Sequence, residues 1–400
     1  AGLGFNISSS ARGVSLFFGG YDDRLVDFAS VTLKAVREFQ PAANSTRFEA
    51  QRDVLQRELE SFATQQPITQ VAYWVKLATI TPDYPLEELR KVIASATPGD
   101  VAEYAEQLWK EPKFASSLCQ GNLQEQEADK FVDVVQASLG STPLPRASWP
   151  TPRITKLPLS VKGTGCALVV NAMDSAEKNS AVQVLYQTGL AKAANGEEGR
   201  RLWAAISVLS SLLRDGFYAE LRTRQQLGYI VQSYSERKEG VVRLLFMVQG
   251  TEVPPVGMLD RIDAFLEQIR GELDRRSEAD VRDVAASLAE ARLARPQQLN
   301  ESVERTFREV TSREFQWDRM VVEAEALRRV TLADVLGVFD RYVAVGGSGR
   351  RRLVTLLFGA AHRGDRRGAE KALKARGAQI VMDPLAFRAA QPCWGETMTA

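Results

Sequence analysis

The sequence predicts an α+β fold that contains two copies of one structural unit. Two pairs of strand-like runs predict a hairpin in each copy, at residues 3–18 and 229–248, with a glycine in both turns. Amphipathic helical runs follow both hairpins in the same order. A short run then closes each copy as a strand, at residues 117–121 and 354–359. Such self-similarity is typical of an internal repeat.

Three helices are predicted in each copy. Apolar residues recur at helical spacing in the first of them, Val26, Ala29, Leu33 and Val36 in one copy and Leu259, Ile262, Phe265 and Ile269 in the other. The second helix begins near Glu49 and near Glu278. The third follows a threonine, Thr97 or Thr331, with an aspartate three residues later, which is the pattern of an N-terminal capping box.

The two copies also predict the domain boundaries. The second copy has a leading portion that the first lacks, with strands at residues 166–171 and 181–187 and an amphipathic helix after them. We therefore expect residues 1–140 to be the C-terminal portion of a truncated domain and residues 161–400 to be a second, complete one. Residues 141–160 carry five prolines and are typical of a semi-rigid extended linker.

The composition is that of an ordinary globular chain. Among 400 residues, 51 Lys+Arg balance 50 Asp+Glu, which gives no reason to expect nucleic acid or an anionic membrane as a partner. No run reaches the roughly 18 apolar residues of a membrane span. Three widely spaced cysteines suit a reducing compartment, so we expect the cytoplasm or, alternatively, a mitochondrial or other organelle matrix. The first residue is not methionine, which suggests a fragment or a processed chain.

Residues that hold metals or act as nucleophiles are scarce. The one histidine, His362, is expected in an exposed loop, and the chain lacks a nucleophile elbow, a phosphate-binding loop and a dinucleotide-binding motif. The acids of residues 278–283 could hold a cation, but they are more typical of a solvated first helical turn. The basic stretch of residues 350–374 could bind a polyanion, although a solvated loop and helix face is the favoured interpretation.

Arg222 and Tyr229 differ from these residues because of their position. They lie seven residues apart across a predicted helix-to-strand turn, so both side chains could project from one end of a sheet into the same space. The guanidinium offers planar donors and the phenol a hydroxyl. From the residues alone, a structural ion pair and a half-buried strand tyrosine remain alternatives to a binding role.

The stretch from Leu221 to Val231 resembles the corresponding motif in the C-terminal half of the pitrilysin family of zinc metallopeptidases, which includes insulysin and nardilysin. The resemblance runs from about residue 1 to residue 360 and is poor in the tail. Other short stretches with similar counterparts in that family are residues 1–3, 19–22, 186–189, 217–218 and 246–249.

This resemblance implies the fold, the cofactor and the site. Family members consist of homologous α/β sandwich-like domains, each a mixed, mostly antiparallel sheet covered by helices, and this chain resembles the third and fourth of four. The family's zinc motif, His-x-x-Glu-His, lies in the N-terminal half and has no counterpart here. The resemblance further implies that Arg222 orients a substrate carbonyl and that Tyr229 hydrogen-bonds the peptide backbone or the oxyanion. Tyr218, where the family often has phenylalanine, would line the same wall.

The leading hypothesis is therefore the non-catalytic C-terminal half of a zinc metalloendopeptidase that encloses and degrades peptides. It implies zinc bound by an N-terminal catalytic half outside this chain, and this chain alone is predicted to be inactive. The implied partners are that half and peptide substrates, with no nucleic acid and no membrane, and a homodimer is compatible with the hypothesis. The alternative is a catalytically inactive structural subunit of a larger complex that uses the same fold.

Overall fold

A computed structural model of the chain describes residues 2–10, 13–40, 45–140 and 142–395. Five segments of the predictions made above lie outside the described residues. They are Ala1 at the start of the family resemblance, residues 11–12 of the first predicted hairpin, residues 41–44 of the first predicted domain, the first linker residue Ser141, and residues 396–400 of the second predicted domain.

Strands and helices alternate in groups along the described residues. The strands are β1 Gly4–Ser10, β2 Gly13–Gly19, β3 Ile80–Thr81, β4 Arg153–Ile154, β5 Cys166–Asn171, β6 Ser180–Leu190, β7 Ile230–Lys238, β8 Val241–Gly250, β9 Arg352–Phe358 and β10 Gln379–Ile380. The helices are α1 Leu25–Glu38, α2 Ser45–Ser61, α3 Pro67–Thr79, α4 Leu86–Ser95, α5 Pro98–Lys110, α6 Glu125–Leu139, α7 Gly196–Tyr218, α8 Pro255–Asp274, α9 Glu278–Leu293, α10 Leu299–Ser312, α11 Arg319–Arg328, α12 Leu332–Tyr342, α13 Arg366–Ala375 and α14 Pro384–Ala390. The predicted α+β class is confirmed.

The order of elements repeats along the chain. Both predicted hairpins form, β1 with β2 and β7 with β8. In the described residues five helices lie between each hairpin and the predicted closing run, α1–α5 before residues 117–121 and α8–α12 before β9. Each group therefore holds two more helices than the three predicted. Both capping boxes form, because Thr97 and Thr331 each accept a bond from the N–H of an aspartate three residues later, at 3.2 Å in both.

One predicted strand is wrong. Residues 117–121 form no strand, whereas their counterpart in the second copy is β9. A strand needs a partner for its backbone groups, and β9 has one on each side in the large sheet, β5 and β6. The hairpin β1–β2 is a two-stranded sheet among the described residues, and residues 117–121 do not join it.

The chain divides into two compact units, and each contains three separate segments. Unit 1 comprises residues 1–60, 84–152 and 296–315, and unit 2 comprises residues 61–83, 153–295 and 316–400. The third helix after the first hairpin, α3, thus belongs to unit 2, and the third helix after the second hairpin, α10, belongs to unit 1. Equivalent helices are exchanged between the units. The division into family domains at residues 140 and 161 remains a prediction.

Unit 1 is built around its hairpin and the helices α1 and α6. The ring of Phe18, on β2, makes edge contacts with Phe28 of α1 and Phe131 of α6, at centroid distances of 6.3 and 6.2 Å. Such pairs add a modest attraction beyond the burial of apolar area. These contacts hold the hairpin against the two helices.

Unit 2 is built around a six-stranded sheet in the order β10-β5-β9-β6-β8-β7. The three strands β10, β5 and β9 are parallel, and every other neighbouring pair is antiparallel. The predicted apolar face of β8 is confirmed, since Val242, Leu244, Phe246 and Val248 share one buried cluster with α7 and α8. Leu245 points to the other face, where it joins a second cluster with α3 and α14.

Candidate functional site

The junction between α7 and β7 carries the candidate site in unit 2. At Ala219 the helix widens into a turn of π-helix that ends at Arg224, and the chain then reverses through Gln226, whose φ is 50°. Such π turns are frequent at functional sites. The predicted turn from helix to strand is thus confirmed, and the π turn and residues 225–229 lie between α7 and β7.

Two buried leucines fix this junction to the core. Leu221 is 0% exposed and Leu227 is 1% exposed, and both belong to the cluster between the sheet and α7. The N–H of Leu227 donates to the carbonyl of Leu221 at 2.9 Å, which closes the turn. The residues between the two leucines are therefore held outward in a defined loop.

Glu220 holds the side chain of Arg224, which is the second arginine of the junction. Its carboxylate accepts bonds from Gln225 Nε2 at 3.0 Å and from Arg224 Nη1 at 2.8 Å. These two hydrogen bonds, with the Gln225 bond the larger cause, lower the pKa of Glu220 below its ordinary value. Of the two arginines in the stretch from Leu221 to Val231, Arg224 is thus the one that forms a structural ion pair.

Arg222 is left unpaired by this arrangement. Its side chain is half-buried, and within the described residues it forms no hydrogen bond or ion pair. Among the described residues, Arg222 thus has no structural ion pair of the kind that Arg224 makes. A guanidinium keeps its charge at all ordinary pH values, so this group can bind an oxygen-bearing ligand.

Two glycines allow the backbones on either side of the site to touch. A Cβ added to Gly228 would overlap the carbonyl of Gln249, and one added to Gly250 would lie 2.6 Å from the carbonyl oxygen of Leu227. The loop before β7 and the end of β8 are thus in direct backbone contact. No larger residue fits at either position without moving one of the two segments.

Gly228→Ala is expected to lower the free energy of unfolding by about 1–3 kcal/mol, as for other overpacked sites. Gly271→Ala is the control, because no atom lies within 4 Å of a Cβ added there in α8. It should stabilise the chain by about 0.5–1 kcal/mol, since alanine has the higher helix propensity. Urea unfolding measures both, and equal midpoints for the two variants would contradict the close approach.

The hydroxyl of Tyr229 is oriented by a buried amide. Gln249, which is 0% exposed, donates from Nε2 to the Tyr229 hydroxyl oxygen. Its Oε1 accepts from the backbone N–H of Ile68 at 2.8 Å, and this bond fixes which end of the amide faces the tyrosine. Because the hydroxyl oxygen accepts this bond, its own hydrogen remains available for a ligand.

The three predicted site residues lie on one concave surface. Tyr218, Arg222 and Tyr229 line a cavity of about 530 Å³, and each of the two tyrosines is 50% exposed. The cavity falls within the roughly 300–1,000 Å³ of sites that bind small ligands or parts of larger ones. The remaining lining residues are Thr223, Gln226, Leu227, Gly228, Gly250, Thr251 and Glu252.

The sequence prediction missed two contributors to the site. Gln249 orients Tyr229. Its sequence signals were its place in the family-like stretch 246–249 and its position as a polar residue at the end of the apolar strand β8, and neither assigned it to the site. Glu252 also lines the cavity, and its carboxylate has the charge opposite to that of Arg222. Its position just after the strand gave no indication in the sequence of a role in the site.

The prediction that His362 lies in an exposed loop is wrong. It lies in a 3₁₀ turn after β9 and is partly buried, with Nδ1 3.3 Å from the hydroxyl of Ser180. Ser180 is fully buried and also accepts from the N–H of Gly359 at 3.0 Å. The pair therefore anchors the turn to the sheet.

The basic stretch after residue 350 was also interpreted incorrectly in part. Arg350 and Arg352 are each only 2% exposed, so they are not solvated, and Arg352 pairs with Asp263. Arg350 donates to three carbonyl oxygens, those of Ser160, Gly163 and Val343. Burying an arginine is tolerable when its donors find such acceptors.

The described residues do not fit a zinc site. Among them no three His, Cys, Asp or Glu side chains come together in a group that could hold a metal ion. The acids at the start of α9 act as predicted, because Asp280 completes a capping box with Ser277. Within the same residues no helix is both long and apolar enough to cross a membrane.

Comparisons with known proteins match both parts of the chain. A family model described as the middle or third domain of peptidase M16 matches residues 1–92, and one described as PQQ synthase PqqF-like, C-terminal lobe domain 4, matches residues 208–307. A nardilysin-like protein of Arabidopsis thaliana is 24% identical over 369 residues, which cover 92% of this chain and 35% of that protein.

Two solved structures share the fold. The crystal structure of pitrilysin matches 98% of this chain, and 39% of its own, at a TM-score of 0.79 and 17% identity. A structure described as the peptidase M16 inactive domain from Pseudomonas fluorescens matches 90% of this chain, and 81% of its own, at a TM-score of 0.59 and 12% identity. The chain thus spans little more than a third of the nardilysin-like protein and of pitrilysin.

Proposed function

We propose that this chain, which corresponds to the C-terminal half of a pitrilysin-family protein, is the non-catalytic half of a zinc metalloendopeptidase that encloses and degrades peptides. The observation that carries the proposal is the cavity at the start of β7. It combines an unpaired, permanently charged guanidinium at Arg222 with an oriented, exposed hydroxyl at Tyr229. Both groups are donors suited to the carbonyl oxygens of a peptide.

Three residues of the cavity have assigned roles in this proposal. Arg222 holds a substrate carbonyl and so orients the peptide. Tyr229 donates to the peptide backbone or to the oxyanion of the tetrahedral intermediate, where such a donor lowers the barrier by stabilising the developing charge. Tyr218 supplies an apolar and hydrogen-bonding wall beside them.

The zinc ion belongs to another part of the enzyme in this proposal. The described residues offer no group of metal ligands, whereas the names and descriptions of matching proteins and models include peptidases. Zinc would supply activation of the attacking water there. The partner is an N-terminal catalytic half, in the same polypeptide or a separate chain, and we place the assembly in the cytoplasm or an organelle matrix.

Assays of the chain with and without its proposed partner test this function. The 400-residue chain alone, supplied with zinc, is expected to leave a fluorogenic peptide intact at the background rate. An extended protein that also contains an intact His-x-x-Glu-His half is expected to hydrolyse the same peptide, and a chelator should abolish that hydrolysis. Hydrolysis by the 400-residue chain alone would overturn the proposal.

A second candidate function is a structural subunit without catalysis. It is favoured by the fold shared with the M16 inactive domain at a TM-score of 0.59. The gene region upstream of this chain discriminates between the two candidates. An intact zinc motif there supports the peptidase, and a half that carries the same fold without the motif supports the scaffold.

A further inference from the structure

A second cavity in unit 2 lies at the other edge of the sheet, where β5 extends beyond the end of its outer neighbour β10. The outermost strand β10 pairs only with Cys166 and Ala167, and the last bond of this ladder runs from the N–H of Val381 to the carbonyl of Ala167 at 2.8 Å. β5 continues to Asn171 and is paired along its whole length with β9 on the other side. Its outer edge is therefore open from Leu168 onward in the described residues.

Two residues of β5 direct their backbone groups to this open edge. In a parallel sheet, alternate residues bond to alternate neighbours. The carbonyls of Gly165 and Ala167 accept from the β10 side, at 2.9 and 2.8 Å, which assigns the odd-numbered residues to that side. Val169 and Asn171 continue this series beyond the end of β10. Within the described chain no backbone bond from the β10 side reaches either of them.

The open edge forms one wall of a cavity of about 260 Å³. Apolar side chains line most of it, those of Leu168, Val169, Val170, Ile380, Val381, Met382 and Pro384. Four polar side chains line it as well, and one of them is the carboxylate Glu370. Each of the other three has one buried atom without a hydrogen-bond partner in the described residues: Trp74 Nε1, Asn171 Oδ1 and Arg366 Nε. Buried polar atoms are seldom left unpaired, so such a group points to an absent ligand or to water.

Two charged side chains of opposite sign line the cavity, Arg366 and Glu370, and both belong to α13. Nη2 of Arg366, the first residue of that helix, pairs with Glu370 at 3.2 Å, one turn further along, so the guanidinium is held in place by its own helix. The Nε atom remains as a buried donor, and the indole N–H of Trp74 is a second one. Two donors, one of them charged, match a carboxylate.

We propose that this cavity binds the C-terminal end of an extended peptide. The free α-carboxylate is bound by Arg366 and Trp74, a peptide group pairs with the open edge of β5 at Val169 and Asn171, and an apolar terminal side chain lies against Val170. Strand addition and capture of a terminal carboxylate are both known modes of peptide recognition. The volume, below the roughly 300 Å³ of a typical small-molecule site, suits one or two residues rather than a long segment.

The site opens at the same end of the sheet as the first cavity. β5 and β8 run in the same direction, so Asn171 and Gly250, which end them, lie at one end of the sheet. Three strand spacings separate them, about 14 Å. Binding of a peptide terminus does not depend on the proposed peptidase function, and the following measurements use the 400-residue chain by itself.

Calorimetric titration with two matched peptides tests the proposal. The probes are N-acetyl-Ala-Ala-Ala-Leu with a free carboxylate and the same peptide as its C-terminal amide. The acid is expected to bind at least about tenfold more tightly than the amide, because a charge-assisted bond is lost in the amide. This comparison uses the unchanged protein, so it does not depend on whether any variant folds.

Two variants and one control locate the binding. Arg366→Gln and Trp74→Phe, which keeps the ring and removes the N–H, are each expected to weaken binding of the acid at least several-fold. Arg367→Gln is the matched control, because Arg367 is an exposed neighbour on α13 outside the cavity, and it should bind like the parent. The proposal is overturned if acid and amide bind equally, if millimolar acid does not bind, or if Arg222→Ala abolishes binding while Arg366→Gln does not.

Discussion

Arg222→Ala and Tyr229→Phe, made in a protein that contains both halves, are each expected to lower kcat/KM for peptide hydrolysis by about 10²–10³-fold, the usual cost of removing one transition-state donor. Tyr229→Phe removes only the hydroxyl and keeps the ring against the cavity wall. If Tyr229 acts at the oxyanion, kcat falls and KM changes little. If Arg222 mainly orients the peptide, its replacement raises KM as well.

The neighbouring arginine provides the control for this experiment. Arg224 pairs with Glu220 and does not line the cavity, so Arg224→Ala should retain turnover within a few-fold of the parent. Thermal unfolding of Arg222→Ala and Arg224→Ala should stay close to that of the parent, because these exposed or half-buried side chains contribute little to the core. Tyr229→Phe leaves the buried Nε2 of Gln249 without its acceptor, so it should lower the free energy of unfolding by about 1–3 kcal/mol and still leave the chain folded. Near-normal turnover in both Arg222→Ala and Tyr229→Phe would refute the assigned roles even if the peptidase function stands.

Local patterns allowed the sequence to predict much of the site. The junction between α7 and β7 is determined by residues close in sequence, because Leu221 and Leu227 anchor it and their bond spans six residues. The two threonine caps are local for the same reason, and they were predicted correctly. The π turn was not predicted, since its apolar and polar residues follow a pattern that an ordinary helix end would also show.

Long-range contacts account for what the sequence could not predict. The orientation of Tyr229 depends on a bond between Gln249 and the N–H of Ile68, which are 181 residues apart. The sequence also could not predict that α3 belongs to unit 2 and α10 to unit 1, because a helix has the same apolar periodicity in either unit. Residues 117–121 have a strand-like sequence but form no strand, because a strand also needs a partner edge for its backbone groups.

The buried carboxylate of Glu323 in α11 is expected to contribute strongly to the stability of unit 2. Glu323 is 1% exposed and accepts from Arg237 Nη1 at 2.6 Å and from Arg292 Nε at 2.7 Å. Arg319, one turn earlier on the same helix, lies 3.6 Å from it. The guanidinium groups of Arg237 and Arg292 also lie over the ring of Trp203, at 5.9 and 5.0 Å from its centroid. One carboxylate thus joins β7, α9 and α11.

Glu323→Ala is expected to lower the free energy of unfolding by about 3–5 kcal/mol, because removing one member of a buried pair leaves uncompensated charge. For a unit of this size the loss corresponds to roughly 6–20 °C in Tm. The matched control is Glu325→Ala on the same helix, whose ion pair with Arg329 is exposed at 3.9 Å and should contribute well under about 1 kcal/mol. Similar Tm values for the two variants would show that the arginines relax into water when the carboxylate is removed. The arginine cluster would then not be what holds β7 against α9 and α11.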